Sequence, residues 1–267
     1  MSILDIAHIV LKTADPFAKV EAAFALHDAS QKSFDILRLK TDLADAPARP
    51  DKPALVPPHA VKRRKLGSEA GRKALLHAVA HIEFNAIDLA ADMITRFTLS
   101  SHIKDTDRAA FIRDWSRVCG EEAKHFSMVR ARLQSLGTDY GDYDAHGGLW
   151  EAAQNTAHDI AARLAIAPMV LEARGLDVTP NMIEKLTQAG DHDSAAILQI
   201  IYDEEIGHVS IGTHWFHYVA AQQTLSPRDY FRKLVTEFFR GSVKPPFNIP
   251  ARELAGLQKH YYMGLEN

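Results

Sequence analysis

Residues 122–125, Glu122-Ala123-Lys124-His125, and residues 205–208, Glu205-Ile206-Gly207-His208, repeat one Glu-x-x-His spacing. A lone glutamate precedes each, Glu83 before the first and Glu172 before the second, so the same order occurs twice along the chain. On four helices packed as a bundle, such a set can hold two metal ions between facing carboxylates. With 13 Glu and 14 His in 267 residues, chance supplies roughly 0.7 Glu-x-x-His matches. The spacing alone therefore decides little, and the surrounding residues carry the reading.

In a helix, positions three, four and seven residues away share a face with residue i. Around Glu83 that face reads Leu76, Val79, Ala80, Ala86, Ile87, Ala90 and Ile94; around Glu122 it reads Trp115, Val118, Cys119, Phe126 and Val129. Ala165, Pro168, Met169, Gly175 and Leu176 flank Glu172, and Leu198, Ile201, Tyr202, Val209 and Gly212 flank Glu205. Each carboxylate thus points where a core residue should point. Burying an unpaired carboxylate costs several kcal/mol, so four in one core need neutralising. A salt-bridge network would need Arg or Lys on these faces; none of the stripes carries one, and Arg174, close to Glu172, points to another face. Two divalent cations would supply the charge. In Glu-x-x-His the two side chains lie one turn apart, about 4.5 Å along the axis, so both reach one ion or each ion takes one His. Two imidazoles with four carboxylates suit two Fe ions, with Mn or a mixed Fe/Mn pair as alternatives.

The chain is all-α on its periodicity. Helices are expected at about 2–12, 15–41, 70–98, 105–136, 148–176, 180–190 and 191–222, then from Ser226-Pro227 to about Gly241 and from Pro250 onward. Five prolines within 46–60 make that stretch extended, since each fixes φ and removes a donor. The expected organisation is an N-terminal helical pair with the Pro-rich segment (1–60), a four-helix bundle (61–225) and C-terminal helices packed on it (226–267). A net charge of -3 gives no global attraction to nucleic acid or acidic membranes. The single cysteine, Cys119, excludes an internal disulfide and favours a reducing, cytoplasmic setting. No apolar run approaches the roughly 20 residues that span a bilayer, and the first residues read as a short amphipathic helix rather than a signal peptide.

The runs His81-Ile82-Glu83-Phe84-Asn85-Ala86-Ile87-Asp88-Leu89, Glu121-Glu122-Ala123-Lys124-His125-Phe126 and Asp203-Glu204-Glu205-Ile206-Gly207-His208 resemble the ferritin-like di-iron carboxylate superfamily. Within it they look like a bacterial ferritin-like family of unassigned function, whose C-terminal segment is similar to Pro246-Phe247-Asn248-Ile249-Pro250-Ala251-Arg252. The likeness covers most of residues 60–265, and extends distantly to the di-iron hydroxylase that modifies a tRNA adenosine. It implies a ferritin-like four-helix bundle with accessory N- and C-terminal helices, and Glu83, Glu122, His125, Glu172, Glu205 and His208 as the metal ligands. It carries over no substrate.

Several neighbours bear on reactivity. Tyr202, one turn before Glu205, is a candidate catalytic phenol that would donate a hydrogen bond or an electron at the metals; a core tyrosine with a satisfied hydroxyl is the alternative. Pro168, one turn before Glu172, should kink or bulge its helix. Trp115 and Phe126 would wall the pocket against water. Glu121 and Glu204 lie off the ligand face and Asp203 is a candidate orienter of a ligand histidine, with ordinary helix-surface charges the preferred reading of all three. His77, His81, Asn85 and Asp92 form a second polar stripe, read as a surface covered by the N-terminal segment rather than as a second metal site, and His214 and His217 read as structural or surface residues. The run Lys62-Arg63-Arg64-Lys65 would hold a phosphate backbone in a tRNA-modifying enzyme, but without interleaved aromatics a solvated loop is the preferred reading. The leading function is an O2-dependent oxidoreductase or hydroxylase with an external electron donor, its substrate a small molecule or one the sequence does not name, in a protein compatible with a homodimer. The alternatives are a tRNA-modifying hydroxylase and an iron-storage or detoxification protein of ferritin type, the latter less favoured because about 100 residues lie outside the bundle.

Overall fold

The computed structural model describes residues 1–39, 43, 45–61 and 66–265. The basic run at 62–65 lies outside the described residues. Among the described residues the chain is all-α, with no strand and a single isolated bridge between Leu55 and Ala145. Its contacts divide it into two units, one formed by residues 1–150 and 185–197, the other by 151–184 and 198–267.

In the first unit, α1 (Ile3–Lys12) and α2 (Pro16–Ser30) are followed by two long helices, α3 (Glu69–Phe97) and α4 (Arg108–Ser135). Local chemistry sets their starts. Ser2 and Asp5 form a capping box on α1, Asp15 caps α2 ahead of Pro16, and Ser68 Oγ accepts the Gly71 N–H at the head of α3. The α3–α4 hairpin is the centre of the unit: α2 packs on α4, and α1 packs on α3 and α2. The second helix stops at Ser30 rather than near residue 41, because the chain then turns back along α1. There the Asp35 carbonyl accepts the Ile3 N–H at 3.0 Å, one of the donors a helix start leaves open. The Pro-rich stretch is extended as expected, apart from one 3-10 turn at Pro58–Ala60. It is stitched down by Ala48 N–H to Leu11 O (2.7 Å), Val56 N–H to Ala145 O (2.8 Å) and Ala145 N–H to Ala54 O (3.0 Å).

A buried ion pair joins α2 to α3. Lys19 is 0% exposed and Asp88 1%, their ends hydrogen-bonded, with the ammonium 5.2 Å from the centre of the Phe84 ring. Burial raises the Asp88 carboxyl to about 6, with Lys19 pulling against it. The polar stripe on α3 is covered, but mostly by the segment after α4. Gly141 N–H donates to His77 Nε2 at 2.9 Å, while His81 meets the Tyr140 hydroxyl at 3.0 Å and the His146 carbonyl at 3.2 Å. The N-terminal segment covers the far end, where Asp92 pairs with Arg96 and lines a cavity with His8, Leu11 and Pro47.

The second unit contains α6 (Ile160–Ile166), a π-helical turn (Ala167–Glu172), and most of α7 (Ala173–Gln188) and α8 (His192–Ala220). It also contains α9 (Pro227–Phe238), α10 (Ile249–Leu254) and α11 (Lys259–Tyr262), while α5 (Gly148–Asn155) lies where the two units meet in sequence. The expected single helix over 148–176 is broken. Asp159 caps a new start through Ala161 and Ala162 N–H, and the buried Arg163 donates to the Thr156 hydroxyl and the Ala153 carbonyl at the end of α5. Conversely, α7 continues through Pro180 where a boundary is expected. Pro180 leaves the Leu176 carbonyl without its helical donor, and Asn248 Nδ2 supplies one at 3.1 Å.

Replacing Lys19 by Met strands a buried carboxylate and should cost about 3–5 kcal/mol, read as a lower urea midpoint. The double variant Lys19→Met/Asp88→Leu should recover most of that loss; equal loss in both would show that the charge is not what matters. His77 yields a pH expectation. Burial lowers its pKa to about 4 against the pull of Asp142, Asp139 and Asp144, and its Nε2 must stay unprotonated to accept the Gly141 N–H. Below the unfolded value of about 6.5 the unfolded chain binds more protons, so this contribution is present above that pH and is lost as pH falls towards 4. His77→Gln should flatten the stability profile over that window.

Candidate metal centre

The first unit brings three of the six ligand candidates together. Glu83 on α3 and Glu122 and His125 on α4 present atoms that all lie within 4.8 Å of one another. They are 4%, 1% and 0% exposed. His125 Nδ1 lies 3.2 Å from Glu83 Oε2 and 3.5 Å from Glu122 Oε2. The α3–α4 hairpin sets this geometry, since Glu122 and His125 are one turn apart on the face of α4 that meets α3.

Two carboxylates and one imidazole in so little space carry an excess of negative charge. Burial and the neighbouring Glu122 carboxylate both push the Glu83 pKa well up. For His125 burial disfavours the proton, but Glu122 and Glu83 outweigh it and raise the ring to about 11. Both shifts have one meaning: the group is stabilised by added positive charge. Ligand atoms at ~2.1 Å from a shared ion stand roughly 3.0–3.5 Å from each other, and the spacing found around His125 Nδ1 falls in that range. The adjacent Phe84 and Phe126 rings pack at 5.2 Å, and Tyr140 stands edge-on to Phe126 at 5.1 Å, walling this end with aromatic carbon. Trp115, the other expected wall, is buried and packs against Phe111.

The second unit carries the other three. His208 is buried, with Nδ1 3.4 Å from Glu205 Oε1, so the two Glu-x-x-His turns adopt the same internal geometry. Glu172 ends the π-helical turn and, like Glu205, is half-buried. The irregularity expected at Pro168 is this turn, in which Ala173 N–H reaches back five residues to the Pro168 carbonyl. The wider turn also shifts which side chains share the face of Glu172, which a 3.6-residue period misassigns. The Pro168 ring seats against Gly212 of α8, where an added Cβ would fall 2.2 Å from Pro168 Cβ.

The remaining candidates are placed as follows. The Tyr202 hydroxyl accepts from Asn248 Nδ2 at 2.9 Å. Asp203 is exposed and takes the Gln199 amide at 2.9 Å, and Glu121 and Glu204 are half-buried. His217 bonds the Tyr261 hydroxyl at 2.6 Å, and His214 is exposed against Trp215, in keeping with structural or surface roles. One network went unread in the sequence. Asp177 receives Arg252 through two bonds of 2.8 and 2.6 Å and the Asn248 N–H at 2.9 Å, tying the 246–252 segment to α7 just past Glu172. The Asn248/Arg252 spacing, one helical turn, was the available signal.

The family model described as a protein of unknown function, DUF455, matches residues 12–263. The chain belongs to the DUF455 family. This DUF455 chain is 43% identical over 255 residues to an uncharacterized protein of Haemophilus influenzae (strain ATCC 51907 / DSM 11121 / KW20 / Rd), covering 94% of this chain and 88% of that one. No solved structure matches it. Within the DUF455 chain, no described helix is long and apolar enough to cross a membrane.

Gly212→Ala should drive a methyl into the Pro168 ring and cost about 1–3 kcal/mol, seen as a lower unfolding midpoint. An unchanged midpoint would mean that the π-helical turn yields freely.

Proposed function

We propose that Glu83, Glu122, His125, Glu172, Glu205 and His208 jointly bind two metal ions, and that the protein is an oxygen-dependent oxidoreductase. The observation that carries this reading is the buried group Glu83, Glu122 and His125, whose ligand atoms lie within 4.8 Å of one another. The matching 3.4 Å approach of His208 to Glu205 supports a second half of the same kind. On this reading the four ligand-bearing helical segments form a ferritin-like bundle. The ions, iron first and manganese or a mixed pair as the alternative, supply the redox chemistry by which O2 oxidises an organic substrate with electrons from an external donor.

The chain's own residues have narrower tasks. Four carboxylates and two imidazoles hold and orient the ions, a mostly oxygen set suited to Fe(II) or Mn(II). Phe84, Phe126 and Tyr140 keep water from one side. Tyr202 accepts from Asn248 and so keeps its own O–H proton to give. The substrate is a small organic molecule, and the buried Cys119 suits a reducing, cytoplasmic setting.

Anaerobic titration with Fe(II), then exposure to O2, tests the proposal. Two irons per chain, an absorption change on oxygenation, and loss of both in Glu122→Ala and Glu205→Ala are expected. One tightly held zinc, or no binding, would sink the reading; uptake far beyond two irons per chain would turn it into a store.

A further inference from the structure

The second unit holds a cavity of about 260 Å³ walled by Met169, Val170, Phe231, Phe239 and Phe247. It lies just below the ~300–1,000 Å³ of drug-sized sites, which limits it to a small ligand. Gly241 belongs to the wall because a Cβ there would fall 2.6 Å from the Phe239 ring, so the loop lies flat against that aromatic. Arg174, Lys244 and Arg252 also line the cavity. Among the described residues the carboxylate that meets these cations is Asp177, which takes both bonds from Arg252 and only a 3.4 Å approach from Arg174. Asp177 is thus committed mainly to Arg252. Arg174 spends Nη1 on the Lys244 and Pro246 carbonyls, at 2.9 and 3.0 Å, and the Lys244 side chain is exposed.

Tyr262 closes another side of the cavity with its ring, while its hydroxyl is sealed inside the wall. Arg252 stacked 4.5 Å above that ring and Phe247 at 4.8 Å hold it in place.

We propose that this cavity binds a small organic anion with an apolar body, a carboxylate carrying an alkyl or aromatic tail. The tail lies against the aromatic and aliphatic wall, and the carboxylate faces Arg174 and Lys244. The site stands whether or not the metal reading does, although Met169, Val170 and Leu171 belong to the turn that ends at Glu172.

Calorimetric titration of the full chain, without added iron, with sodium octanoate and with 1-octanol as its uncharged counterpart tests it. Octanoate should bind at least about ten-fold more tightly than 1-octanol, about 1.4 kcal/mol, and more weakly as salt rises. Lys244→Gln, at an exposed side chain, should weaken octanoate about ten-fold without altering the helical circular dichroism. Equal binding of the two probes, no binding of octanoate at millimolar concentration, or unchanged affinity in Lys244→Gln would each overturn the proposal.

Discussion

Charge taken out of water governs this molecule. Removing a carboxylate from solvent is expensive unless a cation meets it, and each unit answers that demand at a point where helices join. Lys19 answers Asp88 between α2 and α3, and Arg252 answers Asp177 between α10 and α7. Arg132 and Arg72 answer Asp191 at the head of α8. Glu83 and Glu122 are as deeply buried, but the partner they share is an imidazole, a weaker and titratable cation. That contrast separates carboxylates that hold the fold from carboxylates placed for something else.

Helix irregularities follow the same logic of unmet groups. A proline inside a helix frees a carbonyl and crowds the preceding turn, and the chain has two such prolines on either side of Glu172. At Pro168 the backbone widens into a π-helical turn, made possible by the missing side chain at Gly212. At Pro180 the helix stays regular because Asn248 provides the absent donor from outside. The same residue type thus gives opposite local outcomes, and tertiary neighbours decide which.

Much of the architecture was legible because helices announce themselves locally. The spans of α3, α4 and α8 follow from apolar periodicity, and Asp15 and Ser226 mark starts that the structure caps with those side chains. Glu122 with His125 and Glu205 with His208 were legible for the same reason, since one turn of helix fixes the geometry of each pair. The end of α2 was not, because Asp35 is drawn to the start of α1 by a need that lies outside its own segment. Nor was the break before α6, which depends on Arg163 reaching back to the carbonyl of Ala153. Lys19–Asp88 and Arg252–Asp177 lie far apart in sequence, where no period or motif links the partners.

The bond from Asn248 to the Leu176 carbonyl carries a consequence for the order in which the chain takes shape. A growing polypeptide emerges from its N-terminus, so Pro180 appears well before the residue that compensates for it. Until Asn248 arrives, the middle of α7 has an open carbonyl and Asp177 awaits Arg252. The segment carrying Glu172 therefore reaches its final form only after residues 248–252 have been made, some 75 residues later than itself.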